Sequence, residues 1–338
     1  GLVVCSGIMA ASFLALSVAW MMQARIPVGG LRLLFLFAYA VFFVSTGVNQ
    51  ICFNTLQGKL VRVTHRGRLM LVANVVGATC AVGLALALLP GWLAEGAARF
   101  AWIFGFSGGC FFLATALCLL LVEPRDAYCR EESSGWRSLG LAWRTVRDDR
   151  TFRRLALIAG MFGVSLVLFP HYQALGRGER LGISLREIVA WIVVQNLGTA
   201  LFSFAVGPLA DWRGNRTVLR WTLFALASAP LLAILLSWLG PSGGPAFPAV
   251  FLLVGLTPVI LRILHNYTLE LVRSEDHPRY LATINLCIAV PVLFSPLAGW
   301  SLAWIGFDVL FCGVAAMILL AWLLTVGLYE PRHAAASD

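Results

Sequence analysis

Apolar residues along this chain do not alternate with polar ones; they run in blocks of twenty or more, parted by short polar gaps. A helix rises 1.5 Å per residue, so about twenty residues cross the ~30 Å hydrocarbon core of a bilayer. Ten blocks reach that length: 1–23, 31–55, 69–90, 99–122, 154–175, 186–209, 217–239, 247–271, 280–303 and 307–328. The bilayer core holds no water to satisfy exposed backbone groups, so segments of this length cross it as helices. The predicted fold class is all-α, a polytopic membrane protein with about ten transmembrane helices.

The gaps set the orientation. Lys59, Arg62, Arg66 and Arg68 follow the second block. Arg125, Arg130, Arg137, Arg144, Arg147, Arg150, Arg153 and Arg154 fill the central gap, and Arg273 and Arg279 follow the eighth. Together with the sixth gap, these alternate gaps are expected on the cytoplasmic side, with both termini there too. The opposite gaps are poor in positive charge: 91–98 has only Glu95 as an acid, and 240–247 carries no charge. The fifth gap, with Arg177, Arg180 and Arg186 beside Glu179 and Glu187, is the one mismatch. The expected location is the cytoplasmic (inner) membrane.

Composition agrees. Hydrophobic residues make up 60% of the chain and charged residues 12%, with mean hydropathy +0.85, more apolar surface than a soluble domain can bury. The excess of Lys and Arg over Asp and Glu, 25 to 16, sits in the gaps. It therefore reports topology and excludes nucleic acid as the expected partner. Seven of the eight cysteines lie in apolar blocks and only Cys129 in a polar loop; none shows CxxC spacing, so they read as small core residues, and no metal site is expected.

The sixth gap holds the most specific motif: Gly207, Pro208, Leu209, Ala210, Asp211, Trp212, Arg213, Gly214, Asn215, Arg216. Gly207 permits close approach of two helices, Asp211 is suited to cap the helix that follows, and Gly214 permits a tight turn. Arg213, Arg216 and Arg220 suit an anionic membrane face. The run resembles the cytoplasmic loop signature of the major facilitator superfamily, G-x-L-a-D-r-x-G-r-k. Trp212 departs from it, standing where the family usually has a basic residue.

An internal repeat points the same way. Leu60, Val61, Arg62, Arg68 and Asn74 recur as Leu271, Val272, Arg273, Arg279 and Asn285, at a constant offset of 211, as two six-helix halves would produce. A ten-helix permease of the drug/metabolite type, with two five-helix halves, should instead repeat at about half the chain length. The same offset carries Asp211 to a point just before Gly1. The expectation is therefore a fragment lacking the first two helices, with the ten blocks as helices three to twelve of a twelve-helix, two-bundle fold. The expected regions are 1–122, an N-terminal half-bundle; 123–153, a cytoplasmic linker; 154–330, a C-terminal six-helix bundle; and 331–338, a cytoplasmic tail. In the linker, Trp136, Leu139, Trp143 and Val146 recur at helical spacing with arginines on other faces, predicting an amphipathic helix on the membrane surface.

No P-loop, HExxH or GxSxG run is present, and no paired acids stand at catalytic spacing, so neither an enzyme nor a bound cofactor is expected. The candidate chemistry is polar groups at bilayer depth, where each is costly. Arg262 lies midway along the eighth block, about 16 Å from Arg273 at 1.5 Å per residue, with His265 three residues on. Arg262 suits either an anionic substrate or a structural or gating ion pair. Asn49, Gln50 and Asn54, with Gln195 and Asn196, suit either solute recognition or helix-to-helix hydrogen bonding. His171 and Tyr172, behind Pro170, suit the outer vestibule or simple solvation. The acids Glu187, Glu270 and Asp308 sit near span ends. This leaves His265, or a group in the helices expected upstream, as the site for a coupling proton or ion. The third block lacks the G-x-x-x-G-P run of the family's drug antiporters, which disfavours drug antiport.

The resemblance implies alternating access between two bundles, a small-molecule solute and a monomer. Gly207, Asp211, Arg213, Gly214 and Arg216 would form a gating loop, with Arg66 or Arg68 facing Asp211. Pro291, Pro296 and Gly299 would let the ninth span bend. Two other classes stay open: a transporter-like sensor or assembly factor that moves nothing, and the ten-helix permease. A passive channel is disfavoured by the absence of any charged ring.

Overall fold

A computed structural model of the chain describes residues 1–61, 63–93, 100–121, 135–183 and 185–329. Residues 122–134 and 330–338, which hold the start of the expected linker, Cys129 and the expected tail, lie outside them, as do the side chains of Arg66, Trp136, Arg137, Leu139 and Arg186. Every regular element among the described residues is helical. The α-helices are α1 Leu2–Met21, α2 Val28–Leu60, α3 Val63–Leu93, α4 Phe100–Leu119, α5 Gly135–Asp148, α6 Arg150–Val167, α7 Phe169–Arg177, α8 Leu185–Arg213, α9 Asn215–Trp238, α10 Pro248–Val254, α11 Leu256–Leu271, α12 His277–Leu293 and α13 Ser295–Leu324.

Nine stretches among the described residues are long and apolar enough to cross a membrane. The last, His277–Gly327, has 51 residues. At 1.5 Å each it would be about 76 Å long, more than twice the hydrocarbon thickness. It is divided inside α13 by Gly306, whose φ of 73° and ψ of 169° no helix can contain. The ninth and tenth blocks are thus separate crossings joined by a one-residue turn. Pro296 sits in the first turn of α13, where its ring would collide with a preceding helical carbonyl, and α12 accordingly stops at Phe294. Pro170 and Gly255 mark the breaks between α6 and α7 and between α10 and α11.

The chain forms two compact units: Gly1–Leu60 with Gly83–Glu131, and Val61–Val82 with Glu132–Asp338. In the first, α1 packs against both α2 and α4. Phe13 is the hub of its aromatic core, with ring centroids 4.7 Å from Phe42 and 5.8 Å from Phe111. Ser17 Oγ donates to the Ala101 carbonyl of α4 at 2.7 Å. Leu14 of α1 lies over Gly108, where any side chain would collide with it.

In the second unit α6 packs on α12 and α13, α9 on α13 and α11, and α8 on α10. Phe152, Leu155, Ile158 and Phe162 of α6 bury completely, as do Val218, Leu219 and Leu223 of α9. Gly163 meets the Ile288 backbone of α12 so closely that a Cβ would overlap its carbonyl oxygen. Without a hydrophobic drive between helices in lipid, such close approach supplies the packing that holds them together. The linker helix α5 packs on the second unit through its small residues. Ala142 and Thr145 are buried and Val146 packs on the core, whereas Trp143 is 69% exposed.

Candidate functional site

The buried stripe of α11, Val259, Ile260, Ile263, Leu264 and Tyr267, faces the core of the second unit. Arg262 stands at the half-buried edge of this stripe, and His265, three residues on and therefore on the same side, is 3% exposed. His265 Nε2 lies 2.8 Å from Oδ1 of Asn285 on α12. An amide oxygen only accepts, so Nε2 carries the proton and donates. Asn285 Nδ2 is buried and has no hydrogen-bond partner among the described residues. A guanidinium is also a donor-only group. Asn285 therefore offers a buried donor suited to an acceptor oxygen, and Arg262 stands on the neighbouring α11.

The other predicted residues fall in two places. Asn49, Gln50 and Asn54 are in the first unit, where Gln50 Nε2 donates to Asn54 Oδ1 at 3.0 Å and Asn49 Oδ1 is buried with no hydrogen-bond partner among the described residues. In the second unit Asn196 Nδ2 turns back to the Ile192 carbonyl of its own helix at 2.9 Å. The Gln195 carbonyl borders Gly255, 2.6 Å from where a Cβ would stand. Thr199 Oγ1 lies within hydrogen-bond distance of the Gln195 and Gly255 carbonyls, at 3.1 and 3.0 Å. The break before α11 is in this way stitched to α8. His171 is not solvated, contrary to one reading of its position. It is buried, and its Nδ1 donates to the Val167 carbonyl at 2.9 Å, while Tyr172 joins the core.

The signature segment is tighter than a loop. Gly207, Asp211 and Arg213 belong to α8, and Gly214 alone, at φ 85°, turns the chain into α9. Gly214 is therefore the cap residue of α9, and no side chain caps that helix. Asp211, expected in that role, stands instead in the last turn of α8, because the helix continues past the polar switch at Ala210. Arg213 lies over Trp212, its guanidinium carbon 4.7 Å from the ring centroid. Arg216 donates to the Val326 carbonyl at 3.0 Å, and Arg220 lies over Trp322. Arg154 and Tyr267 donate to the carbonyls of Gly327 and Tyr329. These contacts fasten the segment after α13 across the ends of α6, α9 and α11.

Sequence reasoning missed the role of Asn285, although the repeat singled the residue out. Its counterpart Asn74 also bridges helices, donating through Nδ2 to Ser203 Oγ of α8 at 2.8 Å. Among the described residues, no three His, Cys, Asp or Glu side chains gather in a group that could hold a metal ion.

Comparison with known proteins places this arrangement. The profile described as Major Facilitator Superfamily matches residues 2–255. The fold is similar to that of the human organic anion transporter MFSD10 (TETRAN), with a TM-score of 0.70 and 18% identity over 96% of this chain and 80% of that one. It is similar also to a variant of the E. coli fucose:proton symporter FucP, with TM-score 0.68 and 14% identity over 95% and 83%. A third is a bacterial homologue of the iron transporter ferroportin in an outward-facing state, with TM-score 0.66 and 16% identity over 96% and 82%. At these identities the likeness concerns the fold. No curated protein sequence matches the chain significantly.

Proposed function

The chain belongs to the Major Facilitator Superfamily, and from that membership we propose that it is a secondary transporter moving a small solute by alternating access, with Arg262, His265 and Asn285 as part of its solute site. Membership in this family removes the ten-helix permease of the drug/metabolite type. The observation that carries the proposal is the buried Nδ2 of Asn285, which has no hydrogen-bond partner among the described residues, beside His265, with the cationic Arg262 one turn from His265 on α11. A buried donor left unmade costs about 1–3 kcal/mol, and a solute bearing acceptor oxygens would supply the bond. The positive charge favours an anion, such as a carboxylate or phosphate, over a neutral polyol. The solved organic anion transporter of similar fold is consistent with that class.

His265 holds Asn285 in place through Nε2 and is the candidate for a coupling proton. The signature segment serves as a latch, with Asp211 facing basic groups as the bundles rock. The protein works as a monomer in the inner membrane and is not an enzyme.

The experiment is uptake of labelled carboxylates, phosphates, sugars and amino acids by the purified protein in proteoliposomes, beside Arg262→Gln and Arg262→Lys. An anion accumulated by wild type, lost in Arg262→Gln and partly kept in Arg262→Lys supports the reading. Uptake unchanged in Arg262→Gln removes Arg262 from the site.

A further inference from the structure

Away from that site, the arginine-rich end of the second unit holds a cavity of about 630 Å³ between α5, the start of α6 and the start of α12. Arg144, Arg150 and Arg279 line it, with Asp148, Asp149, Leu141, Thr145 and Tyr280. Three guanidinium groups thus face two carboxylates, but the acids are not equally available. Asp149 is committed on both oxygens: Oδ1 accepts from the Phe152 amide at 2.9 Å, capping α6, and Oδ2 accepts from the Tyr280 hydroxyl at 3.4 Å. Arg279 is paired with Asp276 at 3.2 Å. Among the described residues, neither Arg144 nor Arg150 has a carboxylate within ion-pair distance. The cavity therefore has two uncommitted guanidinium groups on its wall and one exposed acid, Asp148, left to oppose them.

We propose that this cavity binds the phosphate headgroup of an anionic lipid, seating the linker helix α5 on the membrane surface. A guanidinium matches phosphate oxygens bidentately. A lipid rather than a free phosphate is favoured by what surrounds the opening. Leu141, on the wall, and Trp143, two residues on, are 38% and 69% exposed on a helix that also carries Arg144 and Arg147. Tryptophan and leucine beside arginine on an exposed helix fit the boundary between headgroups and acyl chains. Basic pockets at the ends of membrane helices are suited to such headgroups.

The test is lipid retention by the purified protein, read by native mass spectrometry during titration with phosphatidylglycerol, phosphatidylcholine or soluble glycerol 3-phosphate. The expected result is one phosphatidylglycerol held in preference to phosphatidylcholine. Its affinity should fall in the Arg144→Gln/Arg150→Gln double variant by about 30-fold, roughly fivefold for each charge removed near an anionic surface, and stay unchanged in Arg177→Gln. Because the two arginines are exposed, the double variant should fold. Should it not, release of the bound lipid from wild type by about 1 M salt supports the same conclusion. Equal retention of phosphatidylcholine, an unchanged double variant, or retention that salt does not disturb overturns the proposal. Glycerol 3-phosphate bound as tightly as the lipid would also overturn it, assigning the cavity to a free phosphate.

Discussion

Replacing Gly163 with alanine adds a single methyl group where α6 crosses α12. The new Cβ would overlap the Ile288 carbonyl oxygen, with the carbonyl carbon and Cα 3.1 Å away. These are backbone atoms, so no side chain can swing aside and the helices must part by on the order of 1 Å, a gap that forfeits a quarter to a half of each dispersion contact along the crossing. Overpacking of this kind costs about 1–3 kcal/mol. One turn earlier, Gly160 offers the control. A Cβ there would lie 3.6 Å from the Cys287 carbonyl, an ordinary contact. Both substitutions gain the same ~1 kcal/mol of helix propensity, so that benefit cancels in their difference. Gly163→Ala should therefore be less stable than Gly160→Ala by about 1–3 kcal/mol, measured by reversible unfolding in mixed micelles. Equal stabilities would refute the close crossing of α6 and α12.

Two further substitutions separate fold from transport. Asn285→Ala leaves the buried His265 donor without its acceptor and should cost about 0.6–2 kcal/mol in micelle unfolding, whereas Asn285→Asp keeps an acceptor but removes the donor that a solute would meet. The aspartate variant should thus fold and fail to transport; transport retained in it would show that Nδ2 is not part of the site. Asp211→Asn should change the uptake rate while leaving membrane insertion intact, and an unaltered rate would count against the latch.

The spans were legible because bilayer thickness and backbone hydrogen bonding leave few alternatives to long apolar helices. Their ends were less so. Between 303 and 307 the sequence marked a break, but only the positive φ of Gly306 shows that a single residue makes the turn. At Asp211 the residue type suggests a cap, but α8 runs on to Arg213 once clear of the apolar block. Arg262 and His265 stood out through the cost of polarity at depth. Asn285 did not, because meeting His265 depends on how α12 is rotated against α11, and the nineteen residues between them carry no record of that angle. On α5 the spacing of the large residues suggested a face for the membrane surface but did not show what meets the bundle, which takes the small Ala142 and Thr145 and leaves Trp143 exposed.

The central claim is that the solute crosses by alternating access, and counterflow tests it most directly. Proteoliposomes loaded with an unlabelled anion that the protein accepts, and placed in a trace of the labelled form without a gradient of any other ion, should accumulate label transiently above equilibrium. Label that enters only to equilibrium at a rate indifferent to the internal load, or that binds without entering, would contradict the account.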